Sequence, residues 1–171
     1  MTDSSGNWNA EWLARGVFVD PRAVVDEGAI IGKGTRIWHF THIRSTAVIG
    51  PDCTIGQCCY VDADVSIGAR CKIANGVQIY SGVKVCNEVF IGPNTTFTND
   101  IWPRACDDEG TLIEFSDPKR TLVNDGASIG AGCVILPFEI GWKAMIAAGS
   151  VVTCDVDPKT RYLSKCNQRA I

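Results

Sequence analysis

The sequence predicts an all-β fold, a parallel β-helix. Three observations carry the prediction: an unbroken six-residue hydrophobic period, small residues two positions before the anchors, and glycines that recur at one corner. An aliphatic or aromatic residue stands at every sixth position, namely Val19, Val25, Ile31, Ile37, Ile43, Ile49, Ile55, Val61, Ile67, Ile73, Ile79, Val85, Ile91 and Phe97. In a chain that is 46% hydrophobic, fourteen hits in one register would arise by chance with a probability on the order of 10⁻⁵. A period of six fits neither a helix nor a plain strand, but it suits a coil with short flat sides. If three sides close a coil of eighteen residues, the anchors stack as three ladders. These begin at Val19, Val25 and Ile31 and recur every eighteenth residue. Each coil then satisfies the backbone of the next at a spacing of about 4.8 Å, and the anchors fill a narrow axial core.

Residues 1–16 precede the period and carry Trp8, Trp12 and Leu13, spaced for one face of a short helix that would cap the first coil. The body is expected over 17–153. Two residues before the anchors the chain has Ala23, Ala29, Thr35, Thr41, Ala47, Cys53, Cys59 and Cys71, with valine at 65, 77, 83 and 89. Gly32, Gly50 and Gly68 follow three anchors of one ladder and are expected to supply a permissive backbone at a corner. The period stops after Phe97 and resumes at Val123, Ile129 and Ile135, a gap of 26 residues. Because 26 is not a multiple of six, residues 98–122 leave the coil as an inserted loop, with Pro103, Gly110, Pro118 and the acidic run Asp107, Asp108, Glu109. Loops this long inside a compact repeat are usually functional. The next anchors, Ile140, Ile146 and Val152, place one side a residue short after Ile135. Residues 154–171 are polar and read as a tail.

Composition bounds the function. The 171 residues suffice for one domain, and a net charge of −3 with no basic block argues against nucleic acid or an anionic membrane as partner. No apolar run reaches membrane-spanning length and the start lacks a signal-peptide pattern, so the cytoplasm is expected. Of nine cysteines, none forms a C-x-x-C pair. Cys53, Cys59, Cys71 and Cys133 fall where small buried side chains are wanted and read as reduced core thiols. The densest polar cluster is Thr98, Asn99, Asp100, then Pro103 and Arg104, where the chain leaves the coil. Residue chemistry alone leaves it equally a polar turn and a site.

The run Phe90 to Asp100 with Pro103, Arg104 and Ala105 resembles the signature of bacterial nucleotide-sugar N-acetyltransferases of the left-handed β-helix hexapeptide-repeat superfamily. Three stretches agree with it: Arg36–Ile43, Lys72–Val77, and Arg120–Val123 ahead of Gly126–Gly130. The resemblance covers about Val17 to Val152 and implies a left-handed coil, a homotrimer with sites between prisms, and acetyl-CoA as donor. It implies a UDP- or dTDP-linked amino sugar as acceptor, acetylated at a 3-amino group for surface-polysaccharide synthesis. By the same resemblance Asn99 is catalytic, its amide carbonyl aiming the amine, and Asp100 is the competing base. Thr98, Arg104, Asn75, Tyr80, Gln57 and His42 become expected substrate contacts, Arg104 through phosphate. Gly126, Ala127, Ala147, Ala148 and Gly149 become expected contacts to acetyl-CoA.

No metal is expected. The superfamily also contains zinc anhydrases with three histidines per site, and a chain with only His39 and His42 cannot fill that set in a trimer. The C-terminal end departs from the family pattern: Ile146-Ala147-Ala148-Gly149 stands for I-G-A-G, and Lys165-Cys166-Asn167-Gln168-Arg169 replaces the usual closing turn. A non-catalytic homologue that binds a nucleotide sugar or a partner enzyme is therefore the alternative.

Overall fold

The computed structural model describes residues 8–114 and 117–164. It is a parallel β-solenoid with the architecture of a left-handed β-helix: three sheets of eight, seven and six short strands, each strand pairing with those one coil before and after. The first sheet carries the ladder Val19, Ile37, Ile55, Ile73, Ile91, Ile129 and Ile146, the second Val25 to Phe97 and on to Ile135 and Val152, the third Ile31 to Val85 and on to Val123 and Ile140. Every anchor is buried except Val25, which is half-buried at the open first coil. The helix Trp8–Ala14 lies against that coil: Trp12 packs on the core, its carbonyl accepts the Val17 amide at 2.8 Å, and Leu13 faces outward.

The residue two before each anchor faces inward at a corner, and there a hydroxyl or thiol serves the coil above. Thr35, Thr41 and Thr95 donate to the carbonyls of Gly50, Gly56 and Gly130 at 2.8, 2.6 and 3.1 Å. Cys53, Cys59, Cys71 and Cys133 make the same contact to Gly68, Ala74, Cys86 and Ala147 at 3.0 to 3.2 Å. Those four cysteines are free and buried, so they are core thiols that also satisfy corner carbonyls.

Gly32, Gly50 and Gly68 do not supply a left-handed backbone, which corrects the expectation for them. The left-handed residue lies three positions after the anchor, and side-chain-bearing residues hold it: Phe40, Thr46, Asp52, Cys58, Asp64 and Arg70 have φ between 56° and 65°. The coil over-determines that conformation and absorbs its cost. Glycine directly after the anchor is needed for close approach instead, since a Cβ on Gly50 would lie 2.7 Å from the Gly68 carbonyl carbon.

The short side is present: Leu122 pairs with Glu139, and Val123 with Ile140. Its consequence is local. Thr121 is buried at the inward corner position, and its Oγ1 has no hydrogen-bond partner among the described residues, because the coil above is a residue short. Thr121→Val should therefore be neutral or stabilising, whereas Thr41→Val should cost about 1–3 kcal/mol, because the Cys59 amide also donates to Thr41 Oγ1 at 3.1 Å. Urea melts of the two variants check this, and equal losses would contradict it.

The 98–122 excursion is ordered at both ends. Lys119 N donates to Asn99 O at 2.8 Å and Thr121 N to Gly82 O at 3.1 Å. Farther out, Cys106 bridges Leu112 in antiparallel fashion, around a turn in which the Asp107 carboxylate accepts from the Glu109 and Thr111 amides. Past 153 the structure differs from a simple tail. Arg161–Tyr162 add the eighth strand of the first sheet, and Val156 pairs with Ile140. The period hides this because Val156 stands only four residues after Val152. Residues 165–171, with the altered closing turn, lie outside the described residues.

Candidate functional site

Asn99 is half-buried at the base of the excursion, on the corner between the second and third sheets. Its Nδ2 donates to the Ser81 carbonyl at 3.3 Å and to Ser81 Oγ at 3.1 Å, whereas its Oδ1 accepts no hydrogen bond among the described residues. Asn99, Asp100, Trp102, Pro103, Arg104 and Ile113 line one open hollow of about 460 Å³. Amide and guanidinium thus share a concave surface. Asp100 Oδ1 accepts the Trp102 amide at 2.8 Å, so this carboxylate also builds the turn. Arg104 is mostly exposed and 3.9 Å from Asp108, a weak pair that leaves it available to an anion. Thr98 is fixed by its amide to the Ile135 carbonyl at 2.8 Å.

His42 and Tyr80 flank the same corner in lower coils. His42 Nε2 lies 2.9 Å from Asp26 Oδ1 and its ring packs edge-on against Tyr60, which in turn meets Tyr80 at 5.7 Å. Sequence reasoning missed what joins them to Asn99. Arg44 donates to Asp26 and to the Tyr60 hydroxyl, both at 3.2 Å; Tyr60 donates to Asp62 Oδ1 at 3.0 Å; Asp62 Oδ2 accepts the Ser81 amide at 3.3 Å. A continuous polar chain therefore runs from His42 to Asn99. The His42 hydrogen bond holds Asp26 below the usual carboxylate range, and burial pushes the Tyr60 phenol up, keeping it a donor. The signal was in the sequence: Asp26, Arg44 and Asp62 stand eighteen apart, as do His42 and Tyr60.

The other expected contacts lie elsewhere on the prism. Gln57 and Asn75 occupy the corner between the first and second sheets, where the Gln57 amide donates to Asn75 Oδ1 at 3.1 Å beside a hollow of about 240 Å³ lined by Trp38, Ala74 and Phe90. Ala147, Ala148 and Gly149 lie on that corner in a later coil, while Gly126 stands on a third corner, against Lys143. Ala127 is buried. It occupies the inward small-residue position and is 1% exposed. A single chain does not bring the expected acetyl-CoA residues together with Asn99. Among the described residues no group of three potential metal ligands occurs and no helix is long and apolar enough to cross a membrane.

Residues 28–63, 46–80 and 64–99 match the family model for bacterial transferase hexapeptide repeats, and 122–154 match the hexapeptide repeat of succinyl-transferase. Over 140 residues the chain is 47% identical to the dTDP-3-amino-3,6-dideoxy-alpha-D-galactopyranose 3-N-acetyltransferase of Aneurinibacillus thermoaerophilus, an alignment covering 81% of this chain and 69% of that protein. The chain belongs to the hexapeptide-repeat transferase family. The chain also aligns with the bifunctional protein GlmU, at 30% identity with that of Synechococcus sp. over 91% of this chain. It spans only 31% of that longer relative. The solved structure of PerB from Caulobacter crescentus, in complex with CoA and GDP-perosamine, shares the hexapeptide-repeat fold with a TM-score of 0.51 at 20% identity, covering 85% of this chain and 54% of that one. A hexapeptide transferase family protein from Anaplasma phagocytophilum superposes at 0.54 and 16% identity, over 85% and 76% of the two chains.

Proposed function

We propose that this chain transfers the acetyl group of acetyl-CoA to the 3-amino group of a dTDP-linked 3-amino-3,6-dideoxyhexose, in the cytoplasm, for surface-polysaccharide synthesis. The observation that carries the reading is the Asn99 amide, anchored through its nitrogen so that Oδ1 opens onto the hollow it shares with Arg104. The activity for which the relative at 47% identity is named supports the choice of acetyl transfer and of acceptor sugar. An amide carbonyl is no base, but it accepts a hydrogen bond from a neutral amine and aims the lone pair at the thioester carbon. The amine nitrogen then forms the C–N bond, the C–S bond breaks, and the departing thiolate takes the surplus proton. Arg104 is placed to bind the diphosphate.

The site is completed, in this proposal, by neighbouring chains of a homotrimer. The excursion carries exposed Ile101, Trp102, Leu112 and Ile113, with Trp102 83% exposed, an apolar surface that a second prism would cover. Assembly would also bring the separated corners of different chains together. Light scattering of dilute protein should return about three times the 18.4 kDa chain mass, and an active monomer would overturn the shared site. Thiol release should be assayed across UDP- and dTDP-linked amino sugars, with release expected from the dTDP-linked 3-amino sugars. Binding of a nucleotide sugar with no release from any acceptor would transfer the conclusion to a non-catalytic homologue.

A further inference from the structure

We propose that Ser81 and Asp62 are positioning residues that fix which end of the Asn99 amide faces the acceptor amine. The inference rests on Asn99 acting as the amine-orienting group. The two ends of an asparagine amide are nearly equal in size, so only hydrogen bonding selects between them. The Ser81 carbonyl can only accept, and it faces Asn99 Nδ2, which forces Oδ1 to the open side. A flipped amide would present N–H to the amine and tie up the lone pair that must attack the thioester. Ser81 Oγ adds a second acceptor for the same nitrogen at 3.1 Å.

Ser81 is itself held from the coil below, where Asp62 Oδ2 accepts its amide. Asp62 is in turn locked: its Oδ1 accepts the Ala63 amide at 2.8 Å and the Tyr60 hydroxyl. The direction of that last bond follows from chemistry. Arg44 can only donate to Tyr60, so the single phenolic proton is left for Asp62. Arg44, Tyr60 and Asp62 thus have one permitted donor–acceptor sense, and the acceptor-only carbonyl of the Ser81 they hold leaves Asn99 with Oδ1 outward.

Steady-state kinetics of a double-mutant cycle test this, with the acceptor sugar that gives thiol release. Asp62→Ala and Ser81→Ala are each expected to lower kcat about 10-fold, with the KM for the nucleotide sugar within about twofold of wild type, and Ser81→Thr to retain activity. In an Asn99→Ala background neither should cause further loss, since both act through that amide. Losses that multiply with that of Asn99→Ala would overturn the proposal, as would wild-type kcat in Ser81→Ala and Asp62→Ala while Asn99→Ala is impaired. Unimpaired Asn99→Ala would instead remove the reading beneath it. Asp62→Asn keeps the size of the side chain but loses one of its two acceptor oxygens, so it keeps the test decisive should Asp62→Ala not fold.

Discussion

Asn99→Ala is expected to lower turnover by roughly 10²-fold or more, the range for loss of a positioning contact at the reacting atom. Assembly and acetyl-CoA affinity should be unchanged, because the side chain is half-buried at the mouth of a hollow and, among the described residues, anchors to Ser81 alone. The rival is Asp100 as general base. Asp100→Asn keeps the acceptor that the Trp102 amide uses, so the turn survives and only the charge is lost. Under the amide reading it should cost a few-fold at most. If Asp100→Asn abolishes turnover and shifts the pH profile while Asn99→Ala stays near wild type, catalysis belongs to the carboxylate.

Phe97→Ala should destabilise the protein by about 3–5 kcal/mol in urea or thermal melts. Phe97 is fully buried in the second-sheet ladder, paired with Ile135 in the next coil. Its neighbours in the solenoid cannot collapse into the space, since each is held by strand pairing above and below. Phe97→Leu should recover most of the loss. A melt of Phe97→Ala close to wild type would mean that this rung is not close-packed. The substitution should also reduce turnover more than stability alone explains, because Thr98 and Asn99 follow directly from this rung.

The fold was legible because its signal is periodic: one anchor every sixth residue fixes coil, ladder and the point where the excursion begins, and the five-residue step from Ile135 to Ile140 appears as a missing residue. Corner geometry was less legible. Left-handed backbone falls on Phe40 or Arg70 as readily as on glycine, so residue type does not mark it, and Gly50 reports a close neighbour instead. Around the candidate site, Asn99 and Arg104 belong to one sequence motif and line one hollow. The three-sheet period, followed through to residue 127, places Ala127 inward, where the structure has it. The chain Asp26–Arg44–Tyr60–Asp62–Ser81 is illegible among near neighbours in sequence because most of its contacts join residues one coil apart.

The hydrogen bond from Lys119 N to Asn99 O closes the excursion at its neck, and the one from Thr121 to Gly82 returns the chain to the coil. Residues 100–118 therefore behave as a cassette spliced into a scaffold whose register does not depend on them. Lengthening a closed loop is cheap, about 0.6 kcal/mol per doubling. Asn99 sits on the scaffold side of the splice, beside the clamp. Such a layout separates two kinds of change: the cassette can be exchanged wholesale, while Asn99 stays where the coils put it.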